Sequence, residues 1–508
     1  MRLSAFLFVL FRLLLIPAFI ASTYLYLYPA FSRCGFPKAT HTRSATAQND
    51  APRPSTLAPF RLLALGDPQL EGDTSLPDPN EPLLPSLQRP WNDAAGLLDI
   101  AQALVKNDIW RILYTARKRL DLWGNDYYLA HIYRSLSWWT RPTHTVVLGD
   151  LLGSQWIGDE EFEIRRSRFW NIVFRGGERV PETLTKAEGR TESLGADERW
   201  SRRVIAVAGN HDIGYAGDIS EPRIERFEKA FGDVNWDIRF TLDGEVGTPI
   251  VDAQGVVLES QRPSLHLVIL NSMNLDQPGY SAELREASLA FLEEKIHSPA
   301  VEPSSTTATV LLTHIPLHKE AGICVDGPFF NYFDERYGGG IQEQNHLSEH
   351  TSSLILEGLL RGPQKRQSII LNGHDHEGCD TYHWAERQQM QEPDTPGSDE
   401  ELPQIHWEAS RFNSAILKAE NADVAALREI TVRSMMGSFG GNAGLLSAWF
   451  DYEINEWRFE YNSCALGVQH IWWAIHILDL IVIIIGMLGA FTLYLERRVV
   501  GGIKVKTA

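Results

Sequence analysis

Six short apolar runs constrain this chain more than any other feature. They read FRLLALGD, THTVVLGD, RVIAVAGN, LHLVILNS, ATVLLTHI and RQSIILNGHD. Each is rich in Val, Ile and Leu, as a strand buried on both faces must be. Between them the pattern predicts helices from Asn92 to Lys106, Asn125 to Trp139, Pro222 to Phe231 and Ala282 to Ile296. Buried strands alternating with helices predict an α/β sheet protein. From Leu446 to Cys464 the stretch AWFDYEINEWRFEYNSC alternates as a hairpin does.

Two longer apolar runs flank this region, Ala5 to Tyr28 and Ile471 to Leu495, each long enough for a helical membrane span. The first could instead be a cleaved signal peptide, but it is rich in bulky residues and has no clear small-x-small cleavage site. Trp472, Trp473 and the tyrosines closing the first run suit a membrane interface. Arg12 and Asp479 are costly inside such runs and could face each other. Arg497, Arg498, Lys504 and Lys506 follow the second run, so both termini are expected in the cytoplasm and the bulk of the chain in a lumen.

The expected plan is therefore an N-terminal anchor over 1–29, a stalk over 30–58 and a catalytic domain over 59–466. Mobile insertions are expected near 178–200 and 386–404, then a second span over 467–496 and a basic tail over 497–508. A net charge of -18 and a pI near 5.4 disfavour a nucleic-acid partner. None of the cysteines, Cys34, Cys324, Cys379 and Cys464, has zinc-finger spacing; in an oxidising lumen they could form disulfides.

Five of the six strand-like runs end in a potential ligand: Asp67-Pro68-Gln69, Asp150, Asn210-His211-Asp212, His314 and His374-Asp375-His376. Open α/β sheets bind ligands beyond the carboxyl ends of their strands, so five such ends converge on one crevice. Asp, Asn, Gln and His offer hard oxygen and borderline nitrogen donors. Two cations about 4 Å apart need one carboxylate shared between them, and such a pair activates water and clamps phosphate oxygens. His144 and His318 lie nearby but match no motif.

The series GDPQ, LGDLLGS, AGNHD, TH and GHDH resembles the calcineurin-like metallophosphoesterase superfamily, from about Phe60 to His376. The resemblance implies two packed mixed sheets flanked by helices and two divalent ions. Asp67, Gln69, Asp150 and His376 would hold the first ion, with Asp150 bridging; Asn210, His314 and His374 would complete the second. His211 would stabilise the transition state or protonate the leaving oxygen. Two positions depart from the pattern. Gln69 stands where the family usually has His, and its carboxamide favours manganese or magnesium over zinc. Ser154 stands where another Asp or Asn is common.

A narrower resemblance rests on AGNHDIGY, RIERFEKAFG, VRSMMGSFGGNAG and the KVKTA terminus. These are similar to the endoplasmic-reticulum and Golgi phosphodiesterases that remove ethanolamine-phosphate from a mannose of GPI anchors, usually with manganese. That branch implies a disulfide between Cys324 and Cys379; Cys34 and Cys464 could pair beside the membrane. It also implies GPI-anchored proteins as substrate, the bilayer as surroundings, a role in their exit from the reticulum, and coat machinery reading Lys504 and Lys506. Two alternatives stay open: a lumenal phosphoesterase acting on phosphoproteins, nucleotides or lipid head groups, and a non-catalytic cargo-sorting factor that retains the fold.

Overall fold

The computed structural model describes residues 2–40, 56–72, 76, 82–88, 94–187, 189–242, 246–251, 257–297, 306–360, 367–386, 405–413 and 424–506. All six apolar runs are strands, and they are divided between two sheets. Phe60–Leu65, His144–Leu148 and Arg203–Val207 lie parallel in a six-stranded sheet. The hairpin Asn442–Asp451 and Glu456–Ala465 completes one side, pairing antiparallel with Phe60–Leu65. Ser264–Ile269, Thr307–Leu312 and Gln367–Asn372 lie parallel in an eight-stranded sheet, with Val424–Thr431 parallel beside them.

The sheets pack face to face. Phe60, Leu62, Ala64, Val146 and Ile205 of one meet Leu265, Leu267, Val310 and Ile369 of the other in a single buried cluster. The alternate residues Leu63, Leu65 and Val147 point outward onto Leu129, Ile132 and Phe169, while Val268, Leu311 and Ile370 point onto the helical Leu292, Ile355 and Leu359. Both faces of both sheets are thus covered, which is why the runs show no alternation. Each fully buried Leu or Phe adds about 1.5–3 kcal/mol of hydrophobic stabilisation. The architecture is an α/β/β/α sandwich.

Several sequence expectations change. Among the described residues of 178–200, expected to be an insertion, Glu178–Arg179 and Thr191–Ser193 are edge strands, one in each sheet. Val180, Leu184 and Trp200 are buried there, and Arg203 stacks on Trp200. Three apolar anchors suffice to fix a polar segment that the sheets can also hydrogen-bond. The second expected insertion, 386–404, lies outside the described residues beyond Glu386, which ends a strand.

The helices expected around 92–106 and 125–139 are one continuous run, from Ala94 through a π-helical turn at Leu104–Ile109 to Thr140. Gly124 interrupts nothing: it is buried, and a Cβ there would overlap the Trp473 ring. The stalk is tied down at both described ends, by pairing of Lys38–Ala39 with Thr56–Leu57 and by a Cys34–Cys464 disulfide.

The helices Leu3–Tyr26 and Gln469–Lys506 are long and apolar enough to cross a membrane. They lie antiparallel, joined by Ser4 to Glu496, Ser22 to Asp479 at 2.7 Å, and Tyr26 to His476 at 2.9 Å. Asp479 is therefore answered by Ser22 rather than Arg12. The basic tail continues the second helix as far as Lys506.

Candidate metal centre

The five ligand-bearing strand ends meet in one pocket. Four of the residues there are forced out of ordinary backbone geometry: Asp67 (φ 46°), Gln69 (φ 40°), Asp150 (φ 50°) and His374 (φ 73°). Non-glycine residues in the left-handed region cost about 1–3 kcal/mol each and persist where surroundings over-determine them. Here the strain turns side chains inward at the ends of Phe60–Leu65, His144–Leu148 and Gln367–Asn372. Gly209 lets two loops touch, since a Cβ there would strike Asp150.

Two donor clusters form, and they share a residue. Asp150, His314 and His374 make one; Asp67, Asp150 and His376 make the other, with donor atoms in each within 4.8 Å of one another. Asn210 joins the first, its Oδ1 lying 3.0 Å from His314 Nε2 and 3.1 Å from His374 Nδ1. Gln69 joins the second, its Nε2 donating to Asp150 Oδ2 at 3.0 Å and lying 3.1 Å from His376 Nε2. Turning that amide over would present its oxygen to the same point.

Backbone carbonyls orient the imidazoles. His314 Nδ1 donates to Leu148 O at 2.8 Å, leaving Nε2 free to face Asn210 and Asp150. His374 Nε2 donates to Gln344 O at 2.8 Å, leaving Nδ1 for the centre. Such partners are what fix tautomer and ring angle at metal-binding histidines. His211 stands at the rim, 34% exposed, its Nε2 3.7 Å from Asp150 Oδ2 and its backbone N–H bonded to Asp150 Oδ1 at 2.9 Å.

The electrostatics call for positive charge. Burial, with Asp150 adding to it, pushes the Asp67 carboxyl up to about 8. Burial also opposes ionisation of Asp150, but His314 and His211 outweigh it and hold that carboxyl below the usual range. Burial and the neighbouring His314 push His374 down to about 3, a neutral imidazole suited to ligation. For His314 burial acts downward, yet Asp150 and Asp67 prevail and raise it to about 9, so a proton there substitutes for a cation. Asp67 Oδ2 is buried without a hydrogen-bond partner. A lone acceptor beside a second carboxylate fits a divalent ion.

Other residues brace the centre. Asp212 accepts from Leu151 N, Leu152 N and Gly209 N, tying two ligand loops together. Ser434 donates through Oγ to Asp67 O and through its backbone N–H to His376 O. Its clue was the polar VRSMMGSFGGNAG stretch. Phe439, on the same stretch, stands edge-on to His376 with ring centroids 4.9 Å apart. The Gln344 carbonyl had no sequence signal, because any residue supplies one. Cys324 and Cys379 form a disulfide that links the segment after His314 to the strand after His376. His144 is a core residue, buried among Phe60, Trp200 and Phe240.

No family model matches the chain. It is 31% identical to Protein TED1 of Saccharomyces cerevisiae over 401 residues, 70% of this chain and 75% of that protein. The chain belongs to the TED1 family of metallophosphoesterases. An uncharacterized protein of Schizosaccharomyces pombe is 30% identical over 70% of this chain and 78% of its own length. Metallophosphoesterase 1 of Cricetulus griseus is 25% identical over 52% of this chain and 57% of its own length.

Proposed function

We propose that this TED1-family chain is a two-metal phosphodiesterase that removes ethanolamine-phosphate from a mannose of the GPI glycan. The observation that carries the chemistry is the pair of overlapping donor clusters sharing Asp150. Asp67, Gln69, Asp150 and His376 would hold one divalent ion, and Asp150, Asn210, His314 and His374 the other. Manganese is favoured by the oxygen-rich donor set, with magnesium or zinc as alternatives. Bound there, the ions would supply an activated water and neutralise phosphate charge. Asp150 spans both clusters, and the Leu148 and Gln344 carbonyls keep His314 and His374 aimed at the centre. His211 faces it from the solvent side, where its Nε2 can pass a proton to the leaving alkoxide.

A lipid-linked substrate is supported by the path from the centre to the second apolar helix. The loop bearing Ser434 and Phe439 also bears Gly437, which packs against Gln469 in that helix's first turn. We further propose a lumenal domain in the endoplasmic reticulum membrane, exchanging with the Golgi, with cytoplasmic termini. Lys504 and Lys506 would be read by coat machinery, and trimming would support exit of GPI-anchored proteins. Mass spectrometry of GPI glycans tests the reading. Cells lacking the protein should retain ethanolamine-phosphate; the wild-type chain should restore trimming and Asp150→Asn should not. An unchanged glycan profile on deletion would refute it.

A further inference from the structure

The continuous helix of residues 94–140 has two unlike halves. From Tyr128 to Leu136 it is buried against the six-stranded sheet. Before that it displays Trp110, Leu113, Tyr114, Leu120, Trp123 and Tyr127, with Trp110 66% and Leu113 53% exposed. Outside the spans, soluble surfaces rarely gather so many large apolar side chains on one element. Arg117, Lys118 and Arg119 interleave them in a chain whose net charge is -18. Bulky aromatics with basic residues on one helix are the composition of an element lying in a membrane interface.

The placement identifies what covers this face. Trp123 packs on Trp473 with centroids 6.2 Å apart, and Gly124 admits the Trp473 ring against the helix backbone. Asn125 accepts from Gln469 at 3.5 Å, and His131 stands edge-on to Tyr26 at 5.2 Å. The helix therefore crosses the bundle level with the last turn of the first apolar helix and the first two turns of the second. The exposed half runs straight on from these contacts along the same helix, with Leu120, Tyr114, Leu113 and Trp110 open to the surroundings. We infer that residues 94–127 form an interfacial helix embedded in the head-group region of the bilayer, holding the domain at a fixed height over the lipid. This rests on the two apolar helices crossing a membrane and not on the phosphodiesterase reading.

All four cysteines are paired, so one added thiol can be labelled uniquely. Full-length Leu113→Cys and Leu120→Cys would be coupled to an environment-sensitive fluorophore and reconstituted in phosphatidylcholine–phosphatidylserine vesicles. Quenching by phosphatidylcholine brominated on its acyl chains is the readout. Met487→Cys, exposed within the second span, is the lipid-facing control, and Glu283→Cys, exposed on a helix of the eight-stranded sheet, is the water-facing one. The Leu113 and Leu120 probes should be blue-shifted and quenched to more than half the extent at Met487, while the Glu283 probe is unaffected. The inference is overturned if they follow Glu283. It is equally overturned if they are blue-shifted but unquenched, which assigns the face to a protein partner, or if Met487 itself is unquenched.

Discussion

At the residue scale, Glu429 shows how much of the centre rests on a group that touches no part of it. Its carboxylate is fully buried and accepts from Lys319 at 2.7 Å, His383 at 2.6 Å, Asn372 at 2.6 Å and Leu317 N at 2.8 Å. Asn372 lies two residues before His374, and Leu317 three after His314, so one charge anchors two ligand loops. Burial alone would raise its pKa, but Lys319 and His383 outweigh it and hold the carboxyl below its ordinary 4.5. A depressed carboxylate contributes stability above its unfolded pKa and loses it as pH falls through the folded one. The unfolding free energy should therefore drop as pH falls below 4.5, and more shallowly in Glu429→Gln. At neutral pH that variant should cost about 3–5 kcal/mol, because it leaves the Lys319 charge buried and unpaired. Denaturant titrations at both pH values measure this; equal stability of the two proteins would show that the charge is not needed.

At the element scale, the Cys324–Cys379 disulfide closes a segment with a sequence separation of 55 that includes His374 and His376. Replacing both cysteines by serine should cost about 2–4 kcal/mol of stability. Manganese affinity by isothermal titration should fall as well, since loop mobility spreads the donors. The continuous helix is equally specific at Gly124. A Val there meets the Trp473 ring, so Gly124→Val should detach the helix from the second span. The expected readouts are a red shift in tryptophan emission and faster proteolysis within residues 94–127, whereas Ala116→Val on an exposed turn should change neither.

For the whole molecule, the candidate centre concentrates buried carboxylates at a cost in stability. Asp67 and Asp150 are both fully buried, and Asp67 is pushed up to about 8 by burial first and by Asp150 after it. Its folded pKa lies above its unfolded value, so the contribution of this one group to the stability of the metal-free protein is lost as pH rises from about 4 toward about 8. A chelator at neutral pH should lower the melting temperature. Manganese at 100 times its dissociation constant should restore about 2.7 kcal/mol. Asp67→Asn should melt higher than wild type under chelation and lower with manganese. That crossing of the two curves is the signature of a binding site; a variant less stable under both conditions would make Asp67 merely structural.

Sequence by itself determined the strands and the ligand-bearing loops. A strand covered on both faces must be apolar throughout, and the Gly-Asp, Gly-Asn-His and Gly-His turns that follow are contiguous in the chain, so both can be read locally. It did not determine which sheet each strand joins, that 178–200 supplies an edge to both, or that Asp479 meets Ser22. Nor did it reveal that Gly124 lies beneath Trp473 or that Glu429 holds Lys319. Those facts depend on contacts between residues far apart in the chain, from Glu178 with Arg203 to Ser22 with Asp479, which no local pattern encodes. The resemblance already implied that Asp150 is shared; that it lies in both donor clusters depends on the fold, which draws the strand ends bearing them to the same edge.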